Sequence, residues 1–159
     1  MIGQLSLKEV VLESAKEVFE TMIFMDIAET TEPDIDIEDQ SILGLINFKG
    51  AMEGCLSVCC GKSCGQAIAM NMLGIDSAEQ VGESDICDAI GEVVNMIIGR
   101  VKKHLAETVG NIKILIPSVV NGCEVMNNLG DDAEIIMVKV NLEDKYVAEL
   151  SMLYRKSSK

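Results

Sequence analysis

Apolar residues recur along this chain with two different periods, and the change of period separates predicted helices from predicted strands. A spacing of three to four positions from about residue 7 to about residue 25 predicts a first helix, which Ser6 is expected to cap because a glutamate follows three residues later. The same spacing between Gly61 and Gly74 predicts a short second helix. The strongest helical pattern runs from residue 84 to about residue 107 and predicts a third, long helix.

Other segments follow the alternation of apolar and polar residues that is typical of strands. The predicted strands are a hairpin over residues 42–60 that turns at Lys49-Gly50, one strand over residues 112–120 that contains Pro117, and an antiparallel pair over residues 134–140 and 146–153. The acidic segment from residue 29 to residue 40 contains the alternating pair Ile35 and Ile37. This segment is compatible with either a short edge strand or a loop.

The order of these elements predicts the fold class. Because short turns join most of the strands, we expect an α+β fold with a mixed, mostly antiparallel sheet of hairpins rather than a doubly wound parallel sheet. The sheet is expected to pack against two long helices and one short helix. A chain of 159 residues has the size of one ordinary domain, so residues 1–159 are predicted to form a single domain.

Composition and charge exclude several classes of function. Apolar residues make up 48% of the chain and charged residues 25%, a balance that excludes intrinsic disorder for most of it. The net charge of −13 argues against nucleic acids and anionic membranes as partners. No apolar run approaches the roughly 20 residues of a membrane helix, and the N-terminal residues do not resemble a signal peptide. These observations predict a soluble cytoplasmic protein.

The scarcity of aromatic residues indicates what kind of surface the protein offers. The chain has three Phe, two Tyr and no Trp, but ten Met. We therefore expect an aliphatic core filled out by methionine, and an adaptable protein-binding surface rather than an aromatic pocket for a small molecule.

The cysteines and the histidine are candidates for a metal or redox site. The six cysteines are Cys55, Cys59, Cys60, Cys64, Cys87 and Cys123. Their spacing contains no CxxC pair, so buried free thiols are favoured over a metal site. The single histidine, His104, lies near a predicted helix end and receives no function, because one histidine cannot complete a metal site or a catalytic triad. The sequence predicts no metal bound by this chain.

One stretch resembles the end of a phosphate-binding P-loop. Cys60-Gly61-Lys62-Ser63 lies at a predicted junction between a strand and a helix. The motif requires a further glycine at the position that Leu56 occupies, and the preceding residues form a predicted strand instead of a glycine-rich turn. A helix start with a solvated lysine is the favoured interpretation.

The predicted long helix carries a second candidate site. Its apolar residues fall on one side and are expected to face the core: Ile86, Ile90, Val93, Ile97 and Val101. The opposite side carries Ser84, Asp88, Glu92, Asn95, Gly99 and Lys102. Asp88, Glu92 and Asn95 follow the spacing i, i+4, i+7, so they lie within roughly 60° of arc on the helix surface.

A solvated helix face is the simplest explanation of this polar side, but two features weigh against it. Asn95 is unfavourable inside a helix, because its side chain competes for backbone hydrogen bonds. Gly91 and Gly99 each cost roughly 1 kcal/mol relative to alanine in an exposed helix. Unfavourable residues gathered on one face indicate a surface that another protein approaches closely.

These residues resemble the signature of the CheC/CheX/FliY phosphatases of bacterial and archaeal chemotaxis. The signature corresponds here to Asp88-x3-Glu92-x2-Asn95 followed by Pro117. The resemblance also includes the long first helix, the hairpin around Gly50 and Gly54, the short helix that ends in Met-Leu-Gly, and the segment Ile116-Pro117-Ser118-Val119-Val120. It covers most of residues 5–153. It fits the single-site CheX branch, because no glutamate of the first helix has an asparagine three residues later.

The resemblance implies a function and assigns roles to residues. Such proteins dephosphorylate a CheY-type receiver domain, so the implied partner is a phosphorylated receiver. Asn95 would orient the attacking water, Glu92 would pair with a lysine of the receiver, and Asp88, Gly91 and Gly99 would belong to the docking surface. Magnesium would belong to the receiver, and this chain would need no cofactor of its own.

The resemblance also implies a homodimer formed by joining sheets, for which the C-terminal hairpin is expected to offer an edge. The alternative function is a non-catalytic receiver-binding or scaffold module of the same fold. The paired Glu92 and Asn95 favour the enzyme over that alternative.

Overall fold

A computed structural model of the protein describes residues 4–31, 36–37, 40–122 and 129–157. Within these ranges, three α-helices pack against a seven-stranded sheet. The predicted α+β class is confirmed, and the pairing between the described strands is antiparallel throughout.

The helices agree with the predicted ones to within a few residues. They are α1 (Gln4–Val18), which continues into a π-helical turn (Phe19–Ile23), α2 (Lys62–Leu73) and α3 (Glu83–Ala106), with a short 3₁₀ turn at Ala78–Gln80. The helix α1 begins at Gln4, so Ser6 lies inside it, and the predicted capping contact of the Ser6 side chain lies outside what the structure describes. Gly74 ends α2 in the left-handed conformation, with φ of 68°, which is the role that its position after the apolar pattern predicted.

The strands form one sheet with long hairpins at its centre. They are β1 (Ile27–Glu29), β2 (Ser41–Gly50), β3 (Met52–Gly61), β4 (Ile112–Ile114), β5 (Ser118–Asn121), β6 (Glu134–Leu142) and β7 (Tyr146–Lys156). Their order across the sheet is β1-β6-β7-β3-β2-β4, and β5 also pairs with β2. The β6–β7 hairpin turns at Glu143 and Asp144, which both have positive φ. The short edge strand is β1, whereas Ile37 lies outside any strand and Ile35 lies outside the described residues.

The core lies between the helices and one face of the sheet, and it is mostly aliphatic, as predicted. Its largest fully buried side chains include Leu7, Phe19, Ile23, Ile46, Met52, Leu56, Ile68, Ile90, Ile97, Ile98 and Leu105. The helix α3 packs against α1, α2 and β2, so its apolar side is held by three separate elements. In the described part of the chain, no helix is both long enough and apolar enough to cross a membrane.

The strand predicted over residues 112–120 is interrupted, and the prediction of one continuous strand is wrong at its centre. The pairs that flank the interruption are Ile114 with Phe48 and Ser118 with Leu45. Three residues of the edge strand therefore lie opposite two residues of β2, which is a β-bulge. Pro117 lies in this bulge, and because proline has no N–H group it cannot donate to the ladder.

The prediction that the cysteines are thiols is correct at four described positions and wrong at a fifth. Cys55, Cys60, Cys64 and Cys87 form no disulfide, whereas Cys59 is disulfide-bonded. Cys123 lies outside the described residues. Burial was predicted for all of them, but Cys87 is exposed and Cys55 is half-buried. Cys55 and Cys60 project from opposite faces of β3, because side chains alternate along a strand, so they do not converge on one metal.

Candidate functional site

The two sides of α3 are arranged as the sequence predicted. Ile86, Ile90, Val93, Ile97 and Val101 are buried. Asp88, Glu92 and Asn95 are all exposed. At 1.5 Å of rise per residue, these three polar side chains span roughly 10 Å along the helix axis. The helix thus presents Asp88, Glu92 and Asn95 as a polar row on its outer side, with two carboxylates and one carboxamide.

The start of α3 is fixed by local hydrogen bonds. The Asp85 carboxylate accepts a hydrogen bond from the Gly82 N–H at 3.0 Å, in the last residue before the helix. Glu83 in the first turn pairs with Lys62 at the start of α2, with 3.0 Å between Nζ and Oε1. Acidic side chains in the first turn also interact favourably with the helix dipole. These contacts define where the helix begins and therefore which residues its outer side presents.

Lys62 is the residue that gave the resemblance to a P-loop. The residues immediately before it belong to β3, so no glycine-rich loop precedes the helix. Its ammonium group is engaged with Glu83. The favoured interpretation is confirmed for the helix start, whereas the lysine predicted to be solvated is half-buried and paired with Glu83.

A shallow groove of about 480 Å³ lies along the outer side of α3. It is lined by Cys87, Asp88, Gly91, Glu92, Asn95, Pro117 and Val119. The groove thus brings together the helical residues that the sequence singled out and Pro117, which is distant along the chain. The β-bulge carries Pro117 to this position.

The two glycines assigned to the docking surface have different environments. Gly91 is buried, and a Cβ atom at that position would lie 3.6 Å from Val119 Cγ2, which is ordinary van der Waals contact. Gly99 is exposed, and a Cβ atom added there would meet no atom within 4 Å outside the helix's own backbone and the neighbouring residues. Gly91 therefore forms part of the floor of the groove, whereas Gly99 lies outside the groove lining on the open helix surface.

Sequence reasoning missed two residues of the groove. Cys87 precedes Asp88 and is exposed, but the sequence placed it only among the cysteines. Its position beside the polar row was the signal that could have identified it. Val119 was named only within the segment that supported the resemblance, because its place in the groove depends on the register of β5 against β2.

The charges in the groove indicate what kind of partner can bind there. Its lining contains the carboxylates of Asp88 and Glu92 and no basic side chain among the described residues. A phosphate group alone would find no cation in this lining to pair with. A partner that brings its own positive charges would be matched by the two carboxylates.

A second cavity of about 330 Å³ adjoins the groove. Its lining includes Lys62, Glu83 and Asn121, and it shares Cys87 with the groove. Cys87 therefore lies at the boundary between the two depressions, where its thiol is accessible to both.

Comparison with known proteins relates this architecture to a family. The model of the family described as chemotaxis phosphatase CheX matches residues 42–141, which is more than half of the chain. The chain belongs to the CheX family. The matched region contains α3 and Pro117, and therefore the whole polar row of the groove. No curated protein sequence gives a significant match.

Solved structures of CheX proteins share the fold over nearly the whole chain. Chemotaxis protein CheX from Vibrio vulnificus has a TM-score of 0.78 at 22% identity, covering 98% of this chain and 100% of that chain. CheX from Desulfovibrio desulfuricans has a TM-score of 0.73 at 22% identity, with 95% and 99% covered. A chain of the CheX–CheY–BeF3–Mg²⁺ complex from Borrelia burgdorferi has a TM-score of 0.72 at 18% identity, with 93% and 97% covered. At these identities the similarity establishes the fold.

Proposed function

We propose that this CheX-family chain hydrolyses the aspartyl phosphate of a CheY-type receiver domain at the groove along α3. The observation that carries the proposal is the placement of Glu92 and Asn95. Both are exposed, one helical turn apart, on the wall of a groove that also contains Pro117. A CheX structure with the same fold is a complex with CheY, which supports a receiver as the partner.

Asn95 is the proposed catalytic residue. Its side chain would enter the receiver's active site and orient a water molecule for in-line attack on phosphorus. The water oxygen forms the new P–O bond as the bond to the aspartate oxygen breaks, which yields inorganic phosphate and a free carboxylate. A carboxamide suits this task because it accepts a hydrogen bond through Oδ1 and donates through Nδ2. Positioning of this kind is the main contribution that a protein can make to phosphoryl transfer to water.

Glu92 and Asp88 are proposed to hold the receiver in register. Glu92 would pair with a lysine beside the receiver's phosphorylation site, which would fix the distance between Asn95 and the phosphoryl group. Asp88 lies one turn further towards the start of α3 and would contact the rim of the partner. Both carboxylates are exposed before binding, so they act by complementing a cation that the partner provides.

Magnesium is assigned in this proposal to the receiver, where it would neutralise charge on the transferring phosphoryl group. A receiver partner implies a cytoplasmic location for this chain. A homodimer formed by joining sheets remains part of the proposal. Because β7 pairs on both sides, with β3 and β6, it offers no edge for that contact. In the C-terminal hairpin, β6 is the strand that lies towards the edge of the sheet, next to the short edge strand β1.

The alternative is a scaffold module that binds a receiver without hydrolysis. Such a protein would need the groove but not a carboxamide at position 95. The presence of Asn95 in an unfavourable mid-helix position, exposed beside Glu92, favours the enzyme.

The test follows the loss of phosphate from receiver domains of the same organism after phosphorylation with acetyl phosphate. The wild-type protein is expected to accelerate this loss, and Asn95→Ala is expected to reduce the acceleration by on the order of 10²-fold. Lys102→Ala is the matched control, because Lys102 is exposed on the same helix outside the groove lining. Full activity of Asn95→Ala would refute the proposed mechanism.

A second arm separates docking from chemistry. Glu92→Gln is expected to weaken receiver affinity by roughly tenfold through loss of the charge pair, with a smaller effect on the maximal rate. An unchanged affinity would show that Glu92 does not pair with the receiver.

A further inference from the structure

The β-bulge between β4 and β5 changes which side chains of the edge strand face the core. In β4, Ile112 is buried and Ile114 packs against the core, so alternation would place Ile116 on the same side. The register of β5 is shifted by one residue relative to that of β4. As a result Val119 faces α3, although the alternation in β4 would place even-numbered residues on that side.

Ile116 is the residue that this shift removes from the core. Its side chain is 87% exposed, the highest value among the large apolar residues in the described part of the chain. The opposite position on β2, Ile46, is completely buried, so the core is closed there without Ile116. Exposing a large apolar side chain gives up the stabilisation that its full burial would provide. The fold therefore leaves unburied a side chain that the pattern of the strand would have placed inside.

The backbone around Ile116 is restrained on both sides. The Leu115 N–H donates to the Asn47 carbonyl oxygen at 2.9 Å, which ties the start of the bulge to β2. Pro117 follows, and a residue before proline is confined to extended conformations. The β-branched side chain of Ile116 has few χ1 rotamers of its own. Such a residue loses little conformational freedom when a partner covers it.

Ile116 adjoins the groove along the chain. It is bonded directly to Pro117, which lines the groove together with Asn95 and Glu92. Leu115 on its other side is also exposed, at 39%. Surfaces that bind another protein combine polar groups with a few apolar anchors that become buried and supply much of the affinity.

The charge of the chain favours an apolar contribution to binding at this surface. The chain carries a net charge of −13, and the groove itself contributes two carboxylates. A receiver that bears an anionic phosphoryl group gains nothing from the overall field of this protein. Affinity must therefore come from local contacts, and Ile116 is the most exposed large apolar side chain in the described part of the chain, next in sequence to a residue of the groove lining.

We infer that Ile116 is an apolar docking anchor for the receiver domain, expelled from the core by the β-bulge and restrained by Pro117, its neighbour in the groove lining. This inference rests on the proposed function, since it names a further contact with the same partner. The residue positions the partner and does not take part in the chemistry. Because the side chain at position 116 can change without changing the core, the bulge also becomes a determinant of partner specificity.

The test compares Ile116→Ser with Ile116→Leu and with Val120→Ser. Val120 is a second exposed apolar residue of the same edge strand, at 48%, but it lies three residues beyond Pro117, where the regular pairing of β5 with β2 has resumed. Affinity for a CheY-type receiver treated with acetyl phosphate is measured by calorimetry, and dephosphorylation kinetics are measured in parallel. Ile116→Ser is expected to raise both Kd and KM by about tenfold or more with kcat nearly unchanged. Ile116→Leu is expected to restore most of the affinity, and Val120→Ser to behave as wild type.

Each outcome separates the docking role from the proposed function. If the wild-type protein binds the receiver without dephosphorylating it, the enzymatic proposal fails, whereas weaker binding by Ile116→Ser still supports the anchor. Equal affinities for wild type and Ile116→Ser overturn the anchor even if dephosphorylation is rapid. If Ile116→Ser instead dissociates a homodimer, Ile116 belongs to a contact between two copies and the inference is overturned. Failure of the wild type to bind any receiver would overturn both proposals.

Discussion

Ile90 packs directly over Gly44, and this contact sets the distance between α3 and the sheet. A Cβ atom at position 44 would lie 2.6 Å from Ile90 Cγ2 and 3.3 Å from the Ile90 carbonyl oxygen. Both distances are shorter than ordinary van der Waals contact, so the helix could not keep its position over β2 if the residue carried a side chain. Gly44 therefore determines how far the outer side of α3, with Asn95, stands above the sheet.

Gly44→Ala is expected to destabilise the protein by about 1–3 kcal/mol, because the added methyl group forces α3 and β2 apart. Urea unfolding measures the change. The cost should fall in an Ile90→Ala background, where Cγ2 is absent, so a double-mutant cycle isolates the contact. Gly99→Ala is the control, because a methyl group there enters open space and should stabilise the helix by up to about 1 kcal/mol. A Gly44→Ala protein as stable as wild type would contradict this account of the helix position.

Alkylation of Cys87 is expected to block the groove. Among the described cysteine thiols it is the exposed one, whereas Cys60 and Cys64 are buried, and desolvation raises the pKa of the half-buried Cys55. N-ethylmaleimide should therefore modify Cys87 first and reduce receiver binding and dephosphorylation together, because the adduct occupies the space beside Asp88.

Cys87→Ser provides the control for this experiment. The variant should keep its activity and become insensitive to the reagent, since a serine side chain leaves the groove open and carries no thiol. If the alkylated wild-type protein retained full activity, the receiver would have to dock elsewhere than on this part of α3.

Tyr154 is expected to give the protein a measurable alkaline transition. Burial in the sheet, together with the charge and hydrogen bond of Glu134, raises its pKa to about 12. Because the ordinary pKa is 10.0, the protonated ring contributes its full stabilisation below pH 10. That stabilisation is lost as the pH rises from about 10 through about 12.

Tyrosinate absorbance in a Tyr146→Phe background would follow Tyr154 alone. Glu134→Gln should lower its pKa, because the substitution removes the neighbouring negative charge while keeping a similar shape. The 7% exposure of Tyr154 implies that its ring is desolvated. If Tyr154 titrated at its ordinary pKa in the folded protein with Glu134 present, that implication would be wrong.

The outer side of α3 could be predicted because a helix has a fixed period. Once the apolar residues of residues 84–107 were assigned to the core, the angular positions of Asp88, Glu92 and Asn95 followed without knowledge of any neighbour. The β2–β3 hairpin was equally accessible, since its alternation lies within one short segment, although the predicted turn at Lys49-Gly50 is wrong: both residues belong to β2, and the chain turns at Ala51. Both features are local, and local patterns were sufficient for them.

The features that the sequence did not reveal depend on pairing between distant segments. The alternation of Ile112, Ile114 and Ile116 continues through the bulge, so it predicted one strand where the register against β2 changes. The burial of Gly91 depends on the same register, because it brings Val119 against the helix. The disulfide at Cys59 likewise could not be inferred from spacing along the chain. Each of these required the partner strand or the partner sulfur to be known.

The interior position of β7 has a consequence for biosynthesis. It is the last of the described strands along the chain, yet it lies between β3 and β6 within the sheet. While the chain emerges from the ribosome, β3 is synthesised long before β7, the strand that pairs with nearly all of it. The sheet beneath α3 can close only after β7 has been synthesised, so we expect a slow folding step that waits for this strand. Chaperones that cover the waiting edge of β3 would find their substrate in this interval.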